Sequence, residues 1–170
     1  VFLALRSQHF VVDRELQIQA HRAQFKPDII WNTEQGLAQS ASRLAWAERE
    51  RAALYRRFAA FFQRYDVLVT PGSATPAWDV ALRARDVVDG VKLTNYIAGS
   101  ALTSAITLTS CPAVAVPCGF DRFGRPVGLQ IVAPARGEAA ALAAAALFEQ
   151  AIGLDRLLPI DPRAGEVPPE

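Results

Sequence analysis

An α/β layer arrangement is what this sequence predicts, and three observations predict it. Apolar residues recur at helical steps of three and four from about Ser40 to Tyr65. Short continuous apolar runs stand within Asp66 to Pro71, Ala113 to Val116 and Val127 to Val132, each bounded by turn residues. No internal repeat orders these segments. With 170 residues, 51% of them hydrophobic, the chain has the length of one domain and enough apolar material for a core.

Taken in order, Val1 to about Lys26 is helix-compatible, with Leu5, Val12, Leu16 and Phe25 loosely spaced, and Lys26-Pro27-Asp28 breaks it. Asn32 and Thr33 are suited to cap a helix before Glu34. The helix over Ser40 to Tyr65 places Leu44, Leu54, Phe58, Phe61, Phe62 and Tyr65 on one face. Its other face carries Arg43, Glu48, Arg49, Glu50, Arg51, Arg56, Arg57 and Arg64, which read as a solvated surface with helix-spaced ion pairs. Asp66 to Pro71 has the unbroken apolar character of a strand buried on both faces. Gly72 to Gly90 is a long loop with at most a short element at Val80 to Leu82, and long loops on rigid sheets often line sites. A helix is expected from about Asn95 to Thr103. Ala113 to Val116 and Val127 to Val132 read as paired strands joined by the turn-rich Gly119 to Pro126. Glu138 to Ile152 is an alanine-rich helix anchored by Leu142, Phe148 and Ile152 and stopped by Gly153. Residues 159–170 hold four of the eleven prolines and are expected to form a loose tail.

A formal net charge of +1 gives no electrostatic footprint for nucleic acid or an anionic membrane. The longest apolar run, Ala139 to Phe148, has ten residues, half of what a bilayer span needs. The two cysteines, Cys111 and Cys118, make neither a disulfide framework nor a zinc pattern and read as reduced thiols. Val1 to Leu5 lacks a cationic leader and a cleavage site, so a cytoplasmic protein is expected. A sequence with no Met that begins at Val1 inside a helix reads as a piece of a longer protein, one partial domain over 1–170.

Nucleophilic hydrolysis needs a nucleophile, a base within reach of it, and donors for the oxyanion. His9 and His21 are the only histidines and read as surface residues; Cys111, before Pro112 in an apolar stretch, reads as a small buried cysteine rather than a catalytic thiol. Gly119 and Gly124 lack the spacing of a phosphate-binding loop, and carboxylates with metal-ligand spacing are missing. The residues alone therefore give no complete active site, no metal site and no cofactor.

One resemblance adds to this reading. The string Asn95-Tyr96-Ile97 through Leu108-Thr109-Ser110-Cys111-Pro112-Ala113-Val114-Ala115-Val116-Pro117-Cys118-Gly119-Phe120, followed by Gly124-Arg125-Pro126-Val127-Gly128-Leu129-Gln130-Ile131-Val132, resembles the C-terminal half of the amidase signature hydrolases. Arg64 to Pro71 is similar to that family's tyrosine, aspartate, apolar and threonine-proline strand. Glu138 with its alanine-rich helix resembles the closing helix, and Trp31 to Gly36 the connection in bacterial members. The resemblance covers most of the chain and implies the C-terminal part of the amidase signature fold, a mixed β-sheet flanked by helices.

The family resemblance implies hydrolysis of carboxamides, or ammonia release from glutamine in tRNA-dependent amidotransferases, by a Ser, cis-Ser, Lys triad. This sequence lacks the Gly/Ser-rich signature that carries the serines. Lys26 and Lys92, its only lysines, stand in the wrong surroundings. The resemblance therefore implies a portion that completes the sheet and walls the pocket but is inactive alone. The missing N-terminal half is its partner, a small-molecule amide its substrate, and a homo-oligomer is possible. Trp78, Tyr96, Ser100, Thr109, Ser110 and Cys111 are the candidate pocket residues, with ordinary packing the alternative for Trp78 and Tyr96. In amidotransferase-like members an Asp suited to the substrate ammonium precedes the Pro-Ala by about a dozen residues, and that count from Pro112 reaches Ser100. This favours a neutral amide over glutamine. Two alternatives stay open, the A-type subunit of a tRNA-dependent amidotransferase and a non-catalytic binding or scaffold fragment.

Overall fold

The computed structural model describes residues 1–82 and 84–153, so the proline-rich tail expected at 159–170 lies outside the described residues. Three helices come first: α1 (Phe2–His21), α2 (Pro27–Leu37) and α3 (Ala41–Phe61). A short turn of 3-10 helix, Arg22–Gln24, ends α1, but Pro27 opens the next helix instead of closing the last. Proline lacks a backbone N–H, and the first turn of a helix has no partner for one. Asn32 and Thr33 consequently fall inside α2 and do not cap it. Both are buried, and their side chains donate to the carbonyls of Asp28 and Ile29, at 2.6 and 3.0 Å. Ser40 does cap α3, its Oγ accepting from Arg43 N at 3.1 Å. On the solvated face of α3, Glu48 pairs with Arg51 at 2.9 Å.

β1 (Leu68–Pro71), β4 (Ala113–Phe120) and β5 (Pro126–Val132) form a three-stranded antiparallel sheet in the order β1-β5-β4. The registers Val69↔Ile131 and Val114↔Ile131 put these residues on one face. There α5 (Glu138–Ile152) packs Ala145 against Val116 and Ile131, with Leu129 and Phe148 around them. On the opposite face Val132 and Gln130 are also buried, so the central strand is covered on both sides. β1, expected to be buried on both faces, is an edge strand with Val69 and Pro71 exposed. An unbroken apolar run therefore does not distinguish a central strand from an edge strand.

β4 and β5 pair as expected, yet β4 runs on to Phe120 through a bulge between Pro117 and Gly119, where φ of 127° needs glycine. A two-stranded hairpin, β2 (Val87–Val88) and β3 (Val91–Lys92), closes the long loop around Asp89-Gly90, both at positive φ. The helix expected at Asn95 begins later, as a 3-10 turn at Ala98–Ser100 that leads into α4 (Ala101–Thr107). Asn95 stays outside because its Oδ1 accepts from the N–H groups of Ile97 and Ala98, at 3.0 and 3.1 Å, as a side-chain turn. Among the described residues no helix is long and apolar enough to cross a membrane.

Candidate functional site

The loop after β1 leaves the sheet where two glycines meet. Gly72 N donates to Gly128 O at 2.9 Å, and a Cβ on Gly72 would stand only 3.2 Å from that oxygen. From there Ser73 Oγ accepts from Thr75 N at 3.3 Å, and Trp78 Nε1 donates to Leu82 O at 3.0 Å. Arg125 Nη1 donates to Ala77 O at 2.9 Å and so ties the loop to the β4–β5 turn. A segment with little apolar burial is held in place by backbone and side-chain hydrogen bonds.

Tyr96 forms the facing wall. Its hydroxyl accepts from Asn32 Nδ2 at 2.7 Å and from Arg6 Nη2 at 3.4 Å, and its ring meets Trp31 edge to face with centroids 6.1 Å apart. The helical layer thus fixes an aromatic residue that stands on the loop side of the molecule. Ser100 follows at the start of α4. Its Oγ donates to Ile97 O at 2.7 Å and lies 3.2 Å from Ser104 Oγ, while Thr103 Oγ1 donates to Ser100 O at 3.0 Å.

Between these walls lies a cavity of about 230 Å³. Three of the residues singled out from sequence, Trp78, Tyr96 and Ser100, line it together. Thr109, Ser110 and Cys111 do not. Thr109 is fully buried and works locally, donating to Ile106 O at 2.6 Å and accepting from Cys111 N at 3.3 Å. Ser110 is held at φ of 57° and borders a separate depression beside Glu48, Arg51 and Tyr55 on α3. Cys111 is half-buried and unpaired.

The cavity also contains residues that sequence reasoning left out: Ser73, Thr75, Arg85 and Thr103. Among the described residues Arg85 is the one charged member of the lining, its Nε is buried without a hydrogen-bond partner, and no ion pair involves it. Neither histidine and neither lysine lines the cavity; His9 borders another depression next to Phe2, Arg6 and Asp13. A space with hydroxyls and aromatic walls can bind a small polar molecule, but a serine without a base beside it has no means of activation.

A family model described as Amidase matches residues 13–142. The chain is 37% identical over 114 residues to the A-type subunit of the glutamyl-tRNA(Gln) amidotransferase of Geobacillus stearothermophilus, covering 67% of this chain and 22% of that protein. It is 37% identical over 105 residues to the corresponding protein of Synechococcus sp. (strain CC9902), covering 62% and 20%. Among solved structures, a bacterial aryl acylamidase belonging to the amidase signature enzymes superposes with a TM-score of 0.74 at 19% identity, over 88% of this chain and 32% of that one. The structure described as an unexpected vestigial protein complex that reveals the origins of an s-triazine catabolic enzyme gives 0.71 at 23% identity, over 86% and 34%. The fold is shared with these enzymes, and the chain spans about a fifth of the length of the curated relatives and a third of the solved chains.

Proposed function

Because this chain belongs to the amidase family, we propose that it is the C-terminal portion of an enzyme that hydrolyses carboxamide C–N bonds, and that it is inactive by itself. In this reading β1, β4 and β5 complete a sheet begun by an N-terminal half, and the Trp78, Tyr96 and Ser100 walls hold the amide. The observation that carries it is the cavity between the β1 loop and α4, which gathers those three residues with hydroxyl groups but no lysine or histidine. A Ser, cis-Ser, Lys relay supplied by the other half would provide the nucleophile and the proton transfer, each worth orders of magnitude in rate. The cytoplasm suits such a chain, whose two cysteines are free thiols.

A second reading, the A-type subunit of a tRNA-dependent amidotransferase, is favoured by the names of the curated relatives. Ser100 separates the two. A neutral hydroxyl offers no charge partner to the ammonium of glutamine, and an ammonium buried unpaired costs several kcal/mol. The purified chain should therefore turn over neither benzamide nor glutamine above background. When an N-terminal half bearing the triad is supplied, kcat/KM should favour the uncharged amide, and Ser100→Asp should move the ratio toward glutamine. Serine-reagent-sensitive turnover by the chain alone would defeat the first expectation, and a preference of the reconstituted enzyme for glutamine would reverse the ranking of the two readings.

A further inference from the structure

We propose that Arg125 is a positioning residue that sets the size of amide this portion accepts, because it holds the wall that carries Trp78. That the ligand is an amide rests on the function proposed above; the size limit rests on the geometry of the wall.

The segment from Ser73 to Trp78 separates two spaces. On one side is the cavity of about 230 Å³ that reaches Tyr96 and Ser100, and on the other a space of about 370 Å³ closed by Pro126, Val127 and Gly128. Ser73, Ala74, Thr75 and Trp78 border both, whereas Arg125 lines neither. Burial does little to hold this partition, since every residue of it except Thr75 is exposed. Hydrogen bonds at its two ends hold it instead. Gly72 N donates to Gly128 O at the near end and Arg125 Nη1 to Ala77 O at the far end, each at 2.9 Å.

Arg125 is a firm anchor because its guanidinium is already oriented. Its Nε and Nη2 lie 2.7 and 2.6 Å from Asp121 Oδ2, and its Cζ stands 5.2 Å from the centroid of the Phe123 ring. The backbone N–H groups of Phe123 and Arg125 fix Asp121 in turn. A planar fork committed along one edge leaves Nη1 directed elsewhere, and a charged donor bonds a carbonyl more strongly than a neutral one does. Lysine has no fork with which to meet Asp121 and Ala77 in fixed directions at once. With the anchor in place the smaller space keeps its own limit; without it the wall is free to move toward the larger space.

The 170-residue chain has three tryptophans, so the Trp78 indole N–H can be followed by NMR with Trp46 of α3 as an internal control. In titrations, wild type should bind benzamide about tenfold more tightly than the bulkier 2-naphthamide. Arg125→Gln should bring that ratio close to one and shift the Trp78 resonance while Trp46 stays in place. Arg125→Lys should retain part of the ratio. Acetophenone and 2-acetonaphthone keep the shapes of the two amides but lack their N–H groups. If they bind as tightly as the amides, with the size ratio still lost in Arg125→Gln, the partition is supported and only the amide reading suffers. A lowered melting temperature of Arg125→Gln with the ratio unchanged would make Arg125 a structural brace and overturn the proposal. Equal affinity of wild type for the two amides, binding of neither, or a Trp46 resonance that moves with Trp78 would overturn it as well.

Discussion

At Asp121 a single carboxylate closes the β4–β5 hairpin. Its Oδ1 accepts from the backbone N–H groups of Phe123 and Arg125, both at 2.9 Å, and its Oδ2 from Arg125 Nε at 2.7 Å. The Arg125 side chain foremost, and then these backbone donors, hold the carboxyl below the ordinary carboxylate range. A carboxyl whose pKa is depressed by folding stabilises the fold fully above its unfolded value and loses that contribution as the pH falls through the folded value. Asp121→Asn should therefore melt at a lower temperature than wild type at neutral pH, and the two melting curves should converge in acid below the carboxylate range. A gap that stays constant from neutral to acid would show that the charge is not what matters. The same residue scale shows what the sequence could disclose about the site. A long loop and a family pattern point at Trp78, Tyr96 and Ser100, which line one cavity, and the same pattern points at Thr109, Ser110 and Cys111, which do not line it. Arg85 could not be found, because one arginine between Ala84 and Asp86 in a charged loop looks like any solvated cation until folding places its Nε out of reach of a partner.

Between elements, α1 and α2 approach closely at Gly36. A Cβ there would run into the carbonyl of Ser7, which is itself buried, with the carbonyl carbon only 2.8 Å away. Helix backbones give way poorly, so Gly36→Ala should destabilise the chain by about 1–3 kcal/mol through overpacking, against the small gain alanine normally brings to a helix. Urea unfolding measures this directly, and an unchanged or raised midpoint would mean that the two helices do not touch at Gly36. Elements with a strong period or flanking turns could be read from sequence: α3 with its aromatic face, the β4–β5 pair, and α5 with Gly153 in the left-handed conformation at its end. Elements decided by context could not. Pro27 breaks or begins a helix depending on which side folds, and tertiary burial of Asn32 and Thr33 overrode their preference for a cap. The β2–β3 hairpin did leave a signal, Asp89-Gly90 between valines, but strands of two residues each are too short to show alternation.

For the whole molecule the sheet poses the outstanding question, because among the described residues neither outer strand has a partner on its far edge. β1 is only four residues long and finishes at Pro71, which blunts it, and β4 is protected beyond its bulge at Pro117 to Gly119. The stretch Ala113 to Val116 has neither defence. It is regular, apolar and uncharged, with Ala113 and Ala115 exposed. In the proposed enzyme the N-terminal half covers such an edge; in the chain by itself water must solvate it, or another copy must pair with it. A row of free N–H and C=O groups beside small apolar side chains is a template for strand addition. The isolated chain is therefore expected to self-associate as its concentration rises, in sedimentation velocity, and to bind a hydrophobic dye while dilute. Ala115→Lys places a charge on the exposed side of that edge without touching the α5 face, so it should shift the chain toward monomer and leave its melting temperature close to that of wild type. A wild-type chain that sediments as a monomer at high concentration, or a lysine variant that associates as strongly as wild type, would remove the β4 edge as a site of strand addition.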